Sequence, residues 1–332
     1  MMTADRRRDF KLDSWSVVSL LSLIVVPLVT TDPMANSLAY QLAIGISAAM
    51  AIYIMLRLGL LSFMVPAFMA VGGYASATLA KAGATNLLLL MAVSFIVPAL
   101  AAIPLGALVL RLKGIYFIFI TFLFNEMLQL ILFETPSLTG GSNGISAVPP
   151  ATFLGWSLDT PKTLVVVTGL VCLIASVATL MVTQYFRAEF TSIEENETLT
   201  ESLGVAVWKY RTIAFVASGG VAGLAGFALV NMLATAHPSS FASWSVNSYI
   251  AYAFVGGRGT MLGMVVGSLL LIVMTNEFSA YAQLSAGLYG VLLLVVMMAL
   301  PGGIVGTCVD YFENLKARSS GNLKPAAHGG RA

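Results

Sequence analysis

The 332-residue chain predicts an all-α polytopic transmembrane helical bundle of about ten spans, on three observations. Hydrophobic residues make up 58% and charged residues 10%, with a mean hydropathy of +0.90, which leaves too little polar surface for a soluble domain of this length. The apolar residues gather in ten stretches, most of them near the roughly 20 residues a helix needs to cross a hydrocarbon core. The breaks between them alternate in charge: 15 of the 17 Lys and Arg fall on one side of the bilayer if the N-terminus is cytoplasmic. Lys and Arg in short loops stay inside, so that side is the cytoplasm.

Taken in order, the spans are 15–30, 36–56, 60–79, 87–110, 115–133, 163–185, 212–233, 245–255, 260–280 and 284–304. Residues 1–14 form a cytoplasmic segment with Arg6, Arg7, Arg8 and Lys11, residues 15–306 the transmembrane domain, and residues 307–332 a polar cytoplasmic tail. Only Lys81 and Lys162 fall outside, so both termini are cytoplasmic. The first apolar run leads into Thr30-Thr31-Asp32-Pro33, a poor small-x-small cleavage site, and reads as an uncleaved helix. The eighth span is too short for a straight crossing and reads as re-entrant or tilted, which membranes tolerate only where protein covers it.

Several chemistries are excluded. The basic residues are spread as topology signals with no continuous patch, so the net charge of +2 gives no reason to expect nucleic acid. His237 and His328 are the only histidines and lie far apart, so neither a metal cluster nor a catalytic triad is visible. Cys172 and Cys308 sit at different depths, and no disulfide is expected. No G-x-x-x-x-G-K-[ST] occurs, so the chain is not itself an ATPase of the P-loop type and any ATP-driven work comes from other subunits.

Glycines and prolines mark the packing. Gly259, Gly263 and Gly267 recur every four residues along the ninth span, and Gly223 and Gly226 crowd the seventh, the small-x-x-x-small pattern that lets helix backbones approach in lipid. Pro66, Pro98 and Pro104 within spans, and Gly256-Gly257-Arg258-Gly259 between two, predict interrupted helices of the sort that line transport pathways. Asn125-Glu126 on the fifth span, with Gln129 a turn beyond, is the conspicuous intramembrane polar group. A carboxyl at that depth must face protein or water, either bonding a neighbouring helix or touching a solute. Asn276-Glu277 repeats the dipeptide on the ninth span, a hint of internal duplication.

Four motifs resemble a known family. Thr139-Gly140-Gly141-Ser142-Asn143-Gly144-Ile145, Leu112-Lys113-Gly114-Ile115-Tyr116-Phe117 with Thr121 and Glu126 behind it, Ala214-Phe215 leading to Ala222-Gly223-Leu224-Ala225-Gly226, and Gly256-Gly257-x-Gly259-Thr260-x-x-Gly263 occur in order over about residues 36–306. Together they resemble the LivM-type permease subunits of branched-chain amino acid ABC importers. The resemblance implies an inner-membrane permease that passes a small solute, a branched-chain amino acid or related carboxylate, from a periplasmic binding protein. It also implies a second, LivH-type permease and two cytoplasmic ATPases, which would hold ATP and Mg2+, while this chain binds no cofactor. Ser62, Phe68, Tyr74, Thr121 and Glu126 become candidates for the translocation path. Thr139, Gly140, Gly141, Asn143 and Gly144 become candidates for binding-protein docking. After the second span this chain departs from the family's G-Q-x-S-L-G pattern, reading Gly59-Leu60-Leu61-Ser62-Phe63-Met64-Val65-Pro66, and Arg258 stands where an apolar residue is usual. These departures bear on the substrate and leave the transporter class untouched.

The longest cytoplasmic loop, 186–211, resembles a diverged coupling segment in its Glu197-x-x-x-x-x-x-Gly204 core. Its acidic positions interleave with Ile193, Leu199 and Leu203 at helical spacing, which predicts an amphipathic helix with an apolar stripe for an ATPase groove. Glu197, Leu199, Leu203 and Gly204 are its candidate coupling residues, with Glu197 meeting polar groups on the groove's rim. The competing class is a self-contained ion-coupled secondary transporter of inverted repeats, for which one Glu and two amides are thin provision as an ion or proton relay.

Overall fold

A computed structural model describes residue 13 and residues 33–153, 155–279, 284–300 and 302–308 of the chain. The predicted span 15–30, the segment 1–12 and the tail from residue 309 onward lie outside the described residues. The helices are α1 (Pro33–Leu56), α2 (Val65–Lys81), α3 (Leu87–Val109), α4 (Ile115–Glu134), the short α5 (Pro136–Thr139), α6 (Pro161–Tyr185), α7 (Arg187–Glu195), α8 (Glu197–Ser202), α9 (Val207–Leu233), α10 (Ser245–Gly256), α11 (Met261–Ser279) and α12 (Ser285–Ala299). A two-stranded hairpin, β1 (Thr152–Phe153) and β2 (Trp156–Ser157), sits between α5 and α6.

The core is built around α1 and α9. From Leu42 to Leu56 α1 is buried on every face, as expected of a helix apolar all round. It is sheathed by α6, α9, α10 and α11, while α9 also carries the broad contacts with α2 and α3. The glycines explain how close these contacts are. A Cβ at Gly223 would meet the carbonyl of Ser94 and the ring of Pro98 on α3, and one at Gly226 would meet the carbonyl of Met69 on α2. Pro98 and Pro104 are accommodated inside α3, and the Ser94 hydroxyl donates to the Gly72 carbonyl at 3.2 Å, tying α3 to α2 at the same crossing. Gly263 and Gly267 of α11 likewise press on Gly257 and Tyr252 backbone carbonyls. Gly259 does not belong to that face: nothing lies within 4 Å of where its Cβ would stand, and it occupies the turn before α11.

Among the described residues seven helices are long and apolar enough to cross a membrane. Two predicted spans fall short for physical reasons. The stretch 60–79 is not helical throughout: residues 60–64 are unwound and α2 begins at Val65, with Pro66 in its first turn where a missing N–H costs nothing. The stretch 245–255 appears as the 12-residue α10. That gives about 18 Å of helix against a hydrocarbon core of about 30 Å, and α10 lies against α1 and α11 as a half-helix should. At the other extreme α9 starts at Val207, ahead of the predicted 212, carrying Lys209 and Arg211 in its first turns.

The loop 186–211 also differs from the single amphipathic helix expected of it. Asn196 adopts an extended backbone, φ −158° and ψ 99°, and splits the segment into α7 and α8, with the Asn196 side chain capping α8 through the Leu199 N–H at 3.0 Å. Ile193 is therefore on another helix from Leu199, and Leu203 caps the end of that second helix.

Candidate functional site

Three places collect the polar chemistry. The first is a groove of about 760 Å3 beside α4, into which Glu126, Gln129, Ser239, Ser243 and Asn247 point with Trp244 at its edge. Only one stripe of α4 is buried, Phe117, Thr121, Asn125 and Leu132, so Glu126 faces away from the bundle's own core. Gln129 fixes the groove wall, accepting from the Ser243 hydroxyl at 3.1 Å and donating to the Pro238 carbonyl at 3.5 Å. Glu126 is the one charged residue lining this groove among the described residues.

The other predicted path residues stand behind the groove rather than in it. Thr121 accepts the Phe63 N–H at 3.2 Å, and the Ser62 hydroxyl accepts the Met64 N–H at 3.3 Å, so both serve the unwound stretch 60–64. Irregular backbone at membrane depth needs such partners. Phe68 is buried edge-on against Phe215 with centroids 5.3 Å apart, and Tyr74 is buried beside Phe241. Trp244, Ser239, Ser243 and Asn247 went unread in the sequence.

The second place is the corner after α4. Thr139 is buried, its hydroxyl donating to the Leu132 and Thr135 carbonyls at 2.7 Å and accepting the Gly141 N–H at 3.2 Å. Ile145 and Ala236 exchange two backbone bonds of 2.9 Å, and Gly144 has a positive φ of 63° with no room for a Cβ beside the Ala236 carbonyl. The run 139–145 is thus a packed strut joining α4 to the end of α9, with Ser142 and Asn143 exposed on its outer surface.

The third place is the loop on the basic side. Helix α7 turns inward: Phe190 and Ile193 are buried, and the Arg57 guanidinium donates to the Thr191 hydroxyl at 3.2 Å. Glu194 lies over Gly59, its Cγ 3.8 Å from a Cβ position there. Burial pushes the Glu194 carboxyl above its ordinary range, Arg57 and Arg258 pull it back down, and Glu195 adds to the rise. Arg57 belongs to the break between α1 and α2, and Arg258 to the break between α10 and α11, so one carboxylate senses both. Asp13 joins the second break to α6, accepting from the Met261 N–H at 3.0 Å and the Gln184 amide at 2.7 Å.

Helix α8 turns outward. Glu197 is held within the chain by Arg211 at 2.6 Å and Lys113 at 2.9 Å. Leu199 on α8 and Leu203, which caps it, are exposed at 57% and 76%. Gly204 has a φ of 87° and open space around it, so the backbone turn rather than crowding demands glycine there.

A bundle of buried, glycine-packed helices with half-helices, an open polar groove on one face and a structured loop on its basic side defines a multi-pass membrane transport component. The chain belongs to the family described as branched-chain amino acid transport system / permease component, whose model matches residues 34–301. It is similar to the high-affinity branched-chain amino acid transport system permease protein LivM of Salmonella typhimurium (strain LT2), at 27% identity over 79% of this chain and 70% of that one. LivM of Escherichia coli (strain K12) is likewise 27% identical, over 74% of this chain and 64% of its own length. The ribose import permease protein RbsC of Haemophilus influenzae is 26% identical over 34% of this chain and 36% of its own. No solved structure matches the chain. These relatives are permease proteins of transport systems, and the self-contained ion-coupled carrier is set aside.

Proposed function

We propose that this chain is one permease subunit of an ATP-driven importer in a bacterial inner membrane, forming half of the path for a branched-chain amino acid or a related small solute. It crosses the bilayer about ten times, counting span 15–30 and the half-helical spans, with both termini in the cytoplasm. A second, LivH-type permease covers the open face of α4, because a carboxylate such as Glu126 is not left against lipid. The polar groove then becomes part of a shared path, and a periplasmic binding protein delivers solute near Ser142 and Asn143. Two ATPase subunits bind ATP and Mg2+ and dock on α8.

The observation that supports this reading best is the exposure of Leu199 and Leu203 on a helix whose other side is fixed by Glu197 to Lys113 and Arg211. Such a helix transmits a push to α9 and to the α3–α4 corner instead of absorbing it. Purification of the chain with its neighbouring gene products tests the reading. Recovery of a second permease and two ATPases, with solute uptake that needs ATP, is the expected result. Uptake by the chain alone in vesicles under an ion gradient overturns it.

A further inference from the structure

At the basic end of the bundle a cavity of about 420 Å3 opens between the end of α3, the corner that follows it and the first turns of α9. Three cations line it, Arg111, Lys113 and Arg211, against two carboxylates, Glu197 and Glu201. Glu197 is engaged by Lys113 and Arg211, and among the described residues no carboxylate pairs with Arg111. Arg211 is only 6% exposed, and its Nε–H has no acceptor among the described residues. Arg111 therefore keeps its guanidinium donors for something outside the chain.

The surroundings identify that something. Gly106 and Ala107 form part of the α3 wall of the cavity. Trp208 lines it and is exposed at 67% beside the cations. Leu110 and Val207 in the wall, a tryptophan and basic residues at one depth are the chemistry of a lipid–water interface, and basic pockets between helix ends there select anionic headgroups. We propose that this cavity binds the phosphate of an anionic phospholipid, with Arg111, Lys113 and Arg211 as its donors and the acyl chains leaving past Trp208. Lys113 is 62% exposed at its side chain and is the cation able to swing from Glu197 to the phosphate. The lipid therefore sits against the same residues that hold α8, and its binding is independent of what solute the permease carries.

Native mass spectrometry of the purified, delipidated complex, titrated with phosphatidylglycerol, phosphatidylcholine or inorganic phosphate, tests the assignment. Phosphatidylglycerol should be retained in preference to phosphatidylcholine. The Arg111→Gln/Lys113→Gln double variant should weaken that retention about thirtyfold, since each basic residue near an anionic lipid contributes about 1 kcal/mol, a factor of about five. Arg111→Lys, which keeps the charge, should retain the lipid and serves if the double variant proves unstable, with Arg111→Gln as its counterpart. Equal retention of both lipids, or unchanged retention in the charge-removing variants, overturns the proposal. So does inorganic phosphate binding as tightly as the lipid, which makes this a free-anion site. Loss of an ATPase subunit from the variant with lipid retention intact also overturns it, by assigning the cations to a protein contact.

Discussion

Helices α7 and α8 are neighbours in sequence, similar in composition and opposite in use. The first buries Phe190 and Ile193 and sets its charges against the two breaks in the membrane helices; the second buries Thr200 and leaves Leu199 and Leu203 in the open. Asn196 is what separates them, because its extended backbone rotates the apolar side from inward to outward within one residue. An inward helix holds the conformation of the bundle, whereas an outward one is free to meet another protein. If the ATPases dock on α8 as proposed, the pair works as two halves of a connector, one end fastened to the breaks at Arg57 and Arg258, the other presenting a surface.

The largest way to break this arrangement is Glu197→Ala. It strands Arg211, a buried guanidinium, and removing one member of a buried pair costs about 3–5 kcal/mol. Thermal unfolding of the complex in detergent should register the loss, while Lys113→Ala, whose side chain is 62% exposed, should change it by less than about 1 kcal/mol. A next-largest effect sharpens the inward–outward contrast directly. Ile193→Ala should destabilise by about 2–5 kcal/mol as a buried aliphatic side chain, and Leu199→Ala should leave stability unchanged. Equal costs at the two positions would erase the distinction between the helices.

Much of this was legible in the sequence, and the misses have physical reasons. Hydrophobic length and charge alternation read α1, α3, α4, α6 and α11 nearly to the residue because those signals are local. The unwound 60–64 was not legible as such: its residues are apolar, and what ends the helix is Pro66 together with the Thr121 hydroxyl that accepts the Phe63 N–H from another helix. The stripe Ile193, Leu199, Leu203 has helical spacing in the sequence, yet a capping asparagine outweighed periodicity. That Lys113 and Arg211 engage Glu197 was not legible from its own segment, since both lie on other elements. At the candidate path, Glu126 stood out as a lone intramembrane acid, but the serines and Asn247 that share its groove come from a stretch whose geometry no local pattern fixes.

The docking surface itself makes a smaller thermodynamic demand and a larger functional one. Leu199→Glu with Leu203→Glu should leave the unfolding transition of this chain in place, since both side chains are already in solvent. Anchoring side chains at an interface are worth about 2 kcal/mol each, so ATPase association should weaken by about a hundredfold or more and uptake should fall with it. Normal uptake with normal stability in that variant would detach α8 from the energy input and leave α7 as the only part of the loop with a defined role.

The smallest effect concerns Glu194, where the sign matters more than the size. Its carboxyl is shifted upward, with burial the largest cause and Arg57 and Arg258 opposing it, so the folded state holds that proton more tightly than the unfolded chain does. Stability from this group is therefore present at low pH and declines as pH rises from the ordinary glutamate range through the raised value. Glu194→Gln removes the titration, and the prediction is a complex slightly more stable than the parent at neutral pH, with a flatter dependence of its unfolding temperature between mildly acidic and neutral conditions. The same substitution deletes the charge that faces Arg57 and Arg258 together, so uptake for each ATP hydrolysed should fall even as stability rises. Stability and uptake falling together would mean that Glu194 merely braces α7, and that the two breaks are not joined through it.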